Sequence, residues 1–230
     1  MNPETLFNKD SSVEEIQKIY EFYGFKEFQK ADQNMIYLIK ILGGDIFFLK
    51  SMIVRIFGIL KTISEPDRAF QNFIRFLENT HSPFVNFNFI TQNIEVTKIL
   101  FKIFSDSQFF SDILIIHPDY FDWLIHQGLN QKKTFKSMLN EAKNIIETFQ
   151  KTENQILALH RFQKREFLRI GTNDLLNFFS LGQVTLELSH LADTCLEMIY
   201  EIRKKEIVND NNTDLAIISM GKMGGEELNY

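Results

Sequence analysis

Apolar residues return every three or four positions through most of this chain, the period of a helix with one buried face. "SSVEEIQKIYEFYGF" sets Ile16, Ile19, Tyr20 and Tyr23 at that spacing behind a capping box of Ser12 and Glu15. The pattern predicts an amphipathic helix that stops near Gly24. "SEPDRAFQNFIRFLENT" repeats the logic, with Ser64 as N-cap, Pro66 in the first turn, Asp67 completing a box, and Phe70, Phe73, Ile74 and Leu77 on one stripe. Between these segments, "NMIYLIKILGGDIFFLKSMIVRIFGILK" reads as two apolar helices broken at Gly43 and Gly44. "TQNIEVTKILFKIFSDS" and "SQFFSDILII" stay helical up to His117 and Pro118, and "DYFDWLI" starts again after the proline. From Lys132 to Ile170 almost nothing breaks the pattern, so one long helix or two abutting helices are expected, with a further helix from Gln183 to Glu206.

The polar string "NDNNTD" then interrupts the chain, and the period changes behind it. Leu215, Ala216, Ile217 and Ile218 are consecutive and apolar, a pattern that suits a strand buried on both faces. Such a strand needs neighbours, and no second strand pattern occurs upstream. Either its sheet continues in further sequence, so that the chain is truncated, or another chain completes it. The expected fold is mainly α: a helical region over residues 1–206, packed as an irregular bundle, leads into the first strand and turn of an α/β domain over residues 214–230.

Composition narrows the setting. At 230 residues and 44% hydrophobic the chain can bury a sizeable core, and its 24 Phe are expected there. No apolar run approaches a membrane span, and "MNPETLFNKD" lacks the pattern of a signal peptide, so a cytoplasmic protein without a membrane partner is expected. One cysteine, Cys195, excludes an internal disulfide and a Cys-rich zinc site. A net charge of -5 argues against nucleic acid as the main partner.

The chemistry-bearing candidate is "GKMGGEE", which sets Gly221, Gly224 and Gly225 between the expected strand and a following helix. Free backbone N–H groups and the helix dipole make such a turn an anion site, and Lys222 adds a charge. Its spacing fits neither the dinucleotide-binding nor the phosphate-loop fingerprint, and a tight strand-to-helix turn is the competing reading. "RFQKREFLRI" gathers Arg161, Lys164, Arg165 and Arg169 on one broad helix face, read as solvated with Phe162, Phe167 and Leu168 turned inward. His117 and His126 lack the spacing of a helical metal pair, and His190, Asp193 and Cys195 sit too close along one helix for nucleophile and base. Trp123 is expected as a core anchor.

"LAIISMGKMGGEELNY" resembles the opening of a nucleotidyltransferase domain in the glutamine synthetase adenylyltransferase family. "EPDRAFQNFIRFLE", "SQFFSDILIIHPDYFDWL" and "HRFQKREFLRIGTNDLL" running into "VTLELSHLADTCLE" resemble the same family in the same order. Together they span most of residues 65 to 230, whereas the first sixty or so carry little resemblance.

The resemblance implies a helical region leading into a nucleotidyltransferase sheet, with Gly224 and Gly225, and secondarily Lys222 and Gly221, cradling the phosphates of ATP or AMP. It also implies an Asp-x-Asp pair on the next strand that holds two magnesium ions; by the family pattern that pair falls a few residues beyond Tyr230. Carboxylates suit magnesium, and two ions clamp the attacking and leaving oxygens of an in-line displacement. The implied activity is addition or removal of AMP on a tyrosine of glutamine synthetase in nitrogen control, with a PII-type protein as a possible regulator. The 230 residues alone are expected to be inactive. The alternative is a non-catalytic helical interaction domain whose terminal strand pairs with another chain.

Overall fold

The computed structural model describes residues 1–8, 11–43, 46–207 and 217–230. Helices dominate, and no β-strand occurs among the described residues. The chain divides into two compact units, Met1–Ile125 and His126–Tyr230.

The first unit opens with a 3-10 turn at Pro3–Phe7 and continues through α1 (Val13–Phe22), α2 (Phe28–Leu42), α3 (Ile46–Leu60), α4 (Pro66–Glu78), α5 (Pro83–Gln92), α6 (Ile94–Asp106), α7 (Gln108–Ile116) and α8 (Asp119–Trp123). Helix α4 is its spine and packs against α2, α6 and α7. Its expected stripe is buried, with Phe70, Phe73 and Leu77 fully enclosed. The abundance of Phe resolves into a mesh of ring contacts: Phe73 lies 4.9 Å from Phe101, Phe76 lies 5.8 Å from Phe104, and Phe57 lies 5.5 Å from Phe25 between centroids. Each such buried side chain contributes about 1.5–3 kcal/mol, so this mesh is the main cohesion of the unit.

The start signals divide into two kinds. Ser12 and Glu15 form the expected capping box of α1, and Asn93 and Ser107 cap α6 and α7 in the same local way. Ser64 and Asp67 do not form the expected box. Asp67 instead accepts the Lys26 and Glu27 backbone amides at 2.8 and 3.2 Å, and so caps α2 from a distance. Ser64 bonds Ser105 and Asp106 at the C-terminal end of α6. Asp67 takes the capping role at the N-cap of α2, Glu27, whose side chain makes no cap bond of its own.

The second unit is built on α9 (Phe135–Ile146), α10 (Thr152–Leu175) and α11 (Leu181–Ile207), which pack mutually around Met138, Phe162, Ile170, Leu188 and Leu191. The uninterrupted stretch from Lys132 to Ile170 is therefore two helices, separated at 147–151. A π-helical turn, Leu124–Gly128, precedes them, and a single turn α12 (Gly221–Gly224) follows.

Of the expected strand, Leu215 and Ala216 lie outside the described residues, as do Gly44 and the loop at 209–214. Ile217 through Met220 carry no regular structure. No helix among the described residues is long and apolar enough to cross a membrane.

Candidate functional site

Met220 approaches the glycine turn in extended conformation, φ -126 and ψ 163. Gly221 then reverses the backbone at φ 62, a region that side chains rarely adopt. The chain closes one helical turn through Gly225 N–H to Gly221 O at 3.0 Å and Glu227 N–H to Lys222 O at 2.8 Å. A Cβ on Gly224 would stand 2.7 Å from the Ser219 carbonyl oxygen, so only glycine lets the arm and the turn approach this closely. Gly225 is different. At φ -90, a Cβ there would meet its nearest neighbour at an ordinary 3.6 Å, and the local fold does not demand glycine.

The four expected site residues therefore come together as one exposed turn. The amides of Lys222, Met223 and Gly224 occupy a first helical turn, where no intrahelical acceptor exists, and such amides favour an anion. The Lys222 ammonium lies 3.5 Å from Asn229 Oδ1 in solvent, where it adds positive charge to the turn. The expected continuation into a longer helix does not occur: the backbone leaves the turn at Glu226, whose φ is 56, and runs on without regular structure to Tyr230. Ile218 and Met220 on the incoming arm are 82% and 83% exposed.

The outgoing arm lies on the α10–α11 pair. Leu228 packs against the unit's apolar core, its N–H donates to Ser189 Oγ at 3.4 Å, and the Tyr230 hydroxyl donates to Asp174 Oδ2 at 3.2 Å. Burial and the Asp174 carboxylate both push the Tyr230 phenol above its ordinary value. Burial also raises Asp193, with His190 opposing and Glu226 reinforcing the shift.

Of the basic run on α10, Arg161 and Lys164 are exposed as expected from sequence, Arg165 is half-buried, and Arg169 departs from the expectation. Arg169 is wholly buried; its Nε donates to Glu166 at 2.7 Å, its Nη2 to Glu187 at 2.5 Å and its Nη1 to the Gln131 carbonyl at 2.7 Å. Lys133 reaches Glu166 and Glu141 at 2.8 and 2.5 Å, and Arg165 pairs with Glu141. Three carboxylates thus meet three cations, and the cluster is neutral. The desolvation of each charge is offset by its partners, which makes the cluster a tie between helices rather than a site for a charged ligand. The warning in the sequence was Glu187, an acid between Leu186 and Leu188 on a helix that buries its neighbour Leu188.

Elsewhere, the His117 ring stacks on Tyr120 at 4.8 Å between centroids. Trp123 is only half-buried. Among the described residues no group of three or more His, Cys, Asp or Glu side chains stands close enough to hold a metal ion.

Comparison with known proteins adds the family. The family model for glutamate-ammonia ligase adenylyltransferase matches residues 97–230, more than half of the chain. The match includes the segments beginning at Ser107 and His160 and the glycine turn, and leaves the segment beginning at Glu65 outside. Bifunctional glutamine synthetase adenylyltransferase/adenylyl-removing enzymes are similar: that of Corynebacterium glutamicum is 24% identical over 180 residues, 74% of this chain and 17% of the relative. That of Corynebacterium diphtheriae is 26% identical over 182 residues, with the same two shares. That of Shewanella loihica is 28% identical over 147 residues, 59% of this chain and 15% of the relative. The chain spans about a sixth of the length of these relatives. No solved structure matches. With more than half of its residues under one family model, and the glycine turn inside the match, the chain belongs to the glutamate-ammonia ligase adenylyltransferase family.

Proposed function

We propose that this chain presents the phosphate-cradling turn of a nucleotidyltransferase and takes part in adding or removing AMP on a tyrosine of glutamine synthetase, within the control of nitrogen assimilation. The observation that carries the reading is the glycine turn, matched within the family and built so that Gly224 cannot carry a side chain. Gly221 sets the reversal, the Gly224 amide in the first turn is left open to phosphate oxygens while Gly225 closes the turn onto the Gly221 carbonyl, and Lys222 supplies a cation beside them. ATP or AMP is the nucleotide.

Magnesium would neutralise the phosphates and polarise the phosphorus for attack. The described residues do not fit such an ion, because no carboxylate cluster stands at the turn, and no step is routed through one. On this reading the described residues bind nucleotide and do not by themselves transfer it. Equilibrium titration of the purified chain with ATP and with AMP tests this: saturable binding weakened by Lys222→Ala supports the reading, and no binding at millimolar nucleotide contradicts it.

A second reading is favoured by one observation. Ile218 and Met220 expose apolar surface that an added strand would cover, as in an interaction domain completed by another chain. Sedimentation separates the two, since that reading requires association that grows with concentration and does not respond to nucleotide.

A further inference from the structure

The glycine turn has few ties of its own to the helical body. Its bonds run within residues 221–227, apart from the exposed Lys222–Asn229 pair. What fixes its place is the arm behind it. Leu228 sits in the apolar seam of the second unit, its amide meets Ser189 on α11, and Tyr230 reaches Asp174 on α10, contacts that join residues 39 and 56 positions apart. These anchors differ in chemistry: one is apolar, one a backbone amide and one a phenol on a carboxylate. They lie on two helices, so together they fix direction as well as position.

We propose that the α10–α11 pair carries a docking surface for residues 226–230, on which Asp174 and Ser189 are the positioning residues that aim the glycine turn. The role of that aim in nucleotide binding rests on the function proposed above; the docking itself does not. The helical region is then more than a leader to the nucleotide turn, because its long helices set where the turn points.

Hydrogen exchange on the 230-residue chain tests the proposal. Losing one hydrogen bond to a charged acceptor should speed exchange of the Glu227 to Tyr230 amides by about tenfold in Asp174→Ala, with α10 and α11 amides unchanged. Tyr230→Phe, which leaves the helices untouched, should do the same. Asp174→Asn keeps a carbonyl acceptor for the phenol and should restore slow exchange, a rescue that a merely structural carboxylate would not give. Ser189→Ala should produce a smaller rise centred on Leu228. Equal exchange in wild type and all these variants overturns the proposal. Titration with ATP forms a separate arm: failure of wild type to bind contradicts the nucleotide reading alone, while binding that is weakened in Tyr230→Phe and restored by no change in the helices supports the aiming role.

Discussion

Arg169 Nη2 lies 2.5 Å from Glu187 Oε2, and neither side chain has any solvent exposure. With Glu166 on its other nitrogen, the guanidinium ties one turn of α10 to α11 and, through the Gln131 carbonyl, to the segment before α9. Removing the cation alone takes the counter-ion from buried Glu187 and leaves buried Glu166 with Lys133 only. Arg169→Met should therefore destabilise the second unit by about 3–5 kcal/mol, read as a lower midpoint in urea. Replacing Arg169 and Glu187 together by apolar residues of similar volume should cost much less, because Glu166 keeps Lys133 and the remaining cluster stays neutral.

Asp67 gives a gentler case in the first unit. Its carboxylate satisfies two amides at the start of α2, so Asp67→Ala should lower stability by about 1–2 kcal/mol in thermal or urea unfolding, in the range of a lost cap. Ser12→Ala, a local cap, should cost about 1 kcal/mol.

These two residues mark how far the sequence could be read. The stripe of α4 and the box of α1 are local, and periodicity displays them directly. Asp67 and Ser64 carry the right letters for a box, yet their partners lie about forty positions away, and nothing in the spacing says so. Arg169 was hidden for the same reason: a run of cations looks solvated until the acids of other helices are brought to it. At the glycine turn the composition displayed the glycines and the lysine, but the separate demands of Gly224 and Gly225 arise from the approach of the Ser219 carbonyl, which only the folded backbone contains.

Cys195 should be a slow nucleophile. Burial pushes its thiol up to about 11, from an ordinary value near 9. At pH 8 its thiolate fraction, and hence its alkylation rate by iodoacetamide, should be about a hundredfold below that of the unfolded chain. The linked stability effect has a definite sign. The folded state holds this proton more tightly, so the contribution is intact below about pH 9 and is lost as the pH rises toward 11.

The two neighbouring glycines should separate local fold from ligand approach. Gly224→Ala drives a Cβ against the Ser219 carbonyl, so the turn must shift and nucleotide affinity should fall at least about tenfold. Gly225→Ala fits the observed backbone, so the chain should retain its exchange pattern without ligand. If phosphate oxygens approach Gly225 closely, it should still lose affinity for ATP. Exchange and affinity measured on both variants check the contrast.

The central claim is that the turn from Gly221 to Gly225 receives nucleotide phosphates, and hydrogen exchange with and without saturating ATP tests it most directly. Ligand should slow exchange at Lys222 to Glu226 several-fold, while α4 in the first unit stays unchanged. Unchanged exchange through the turn, or protection confined to another surface, would contradict the account.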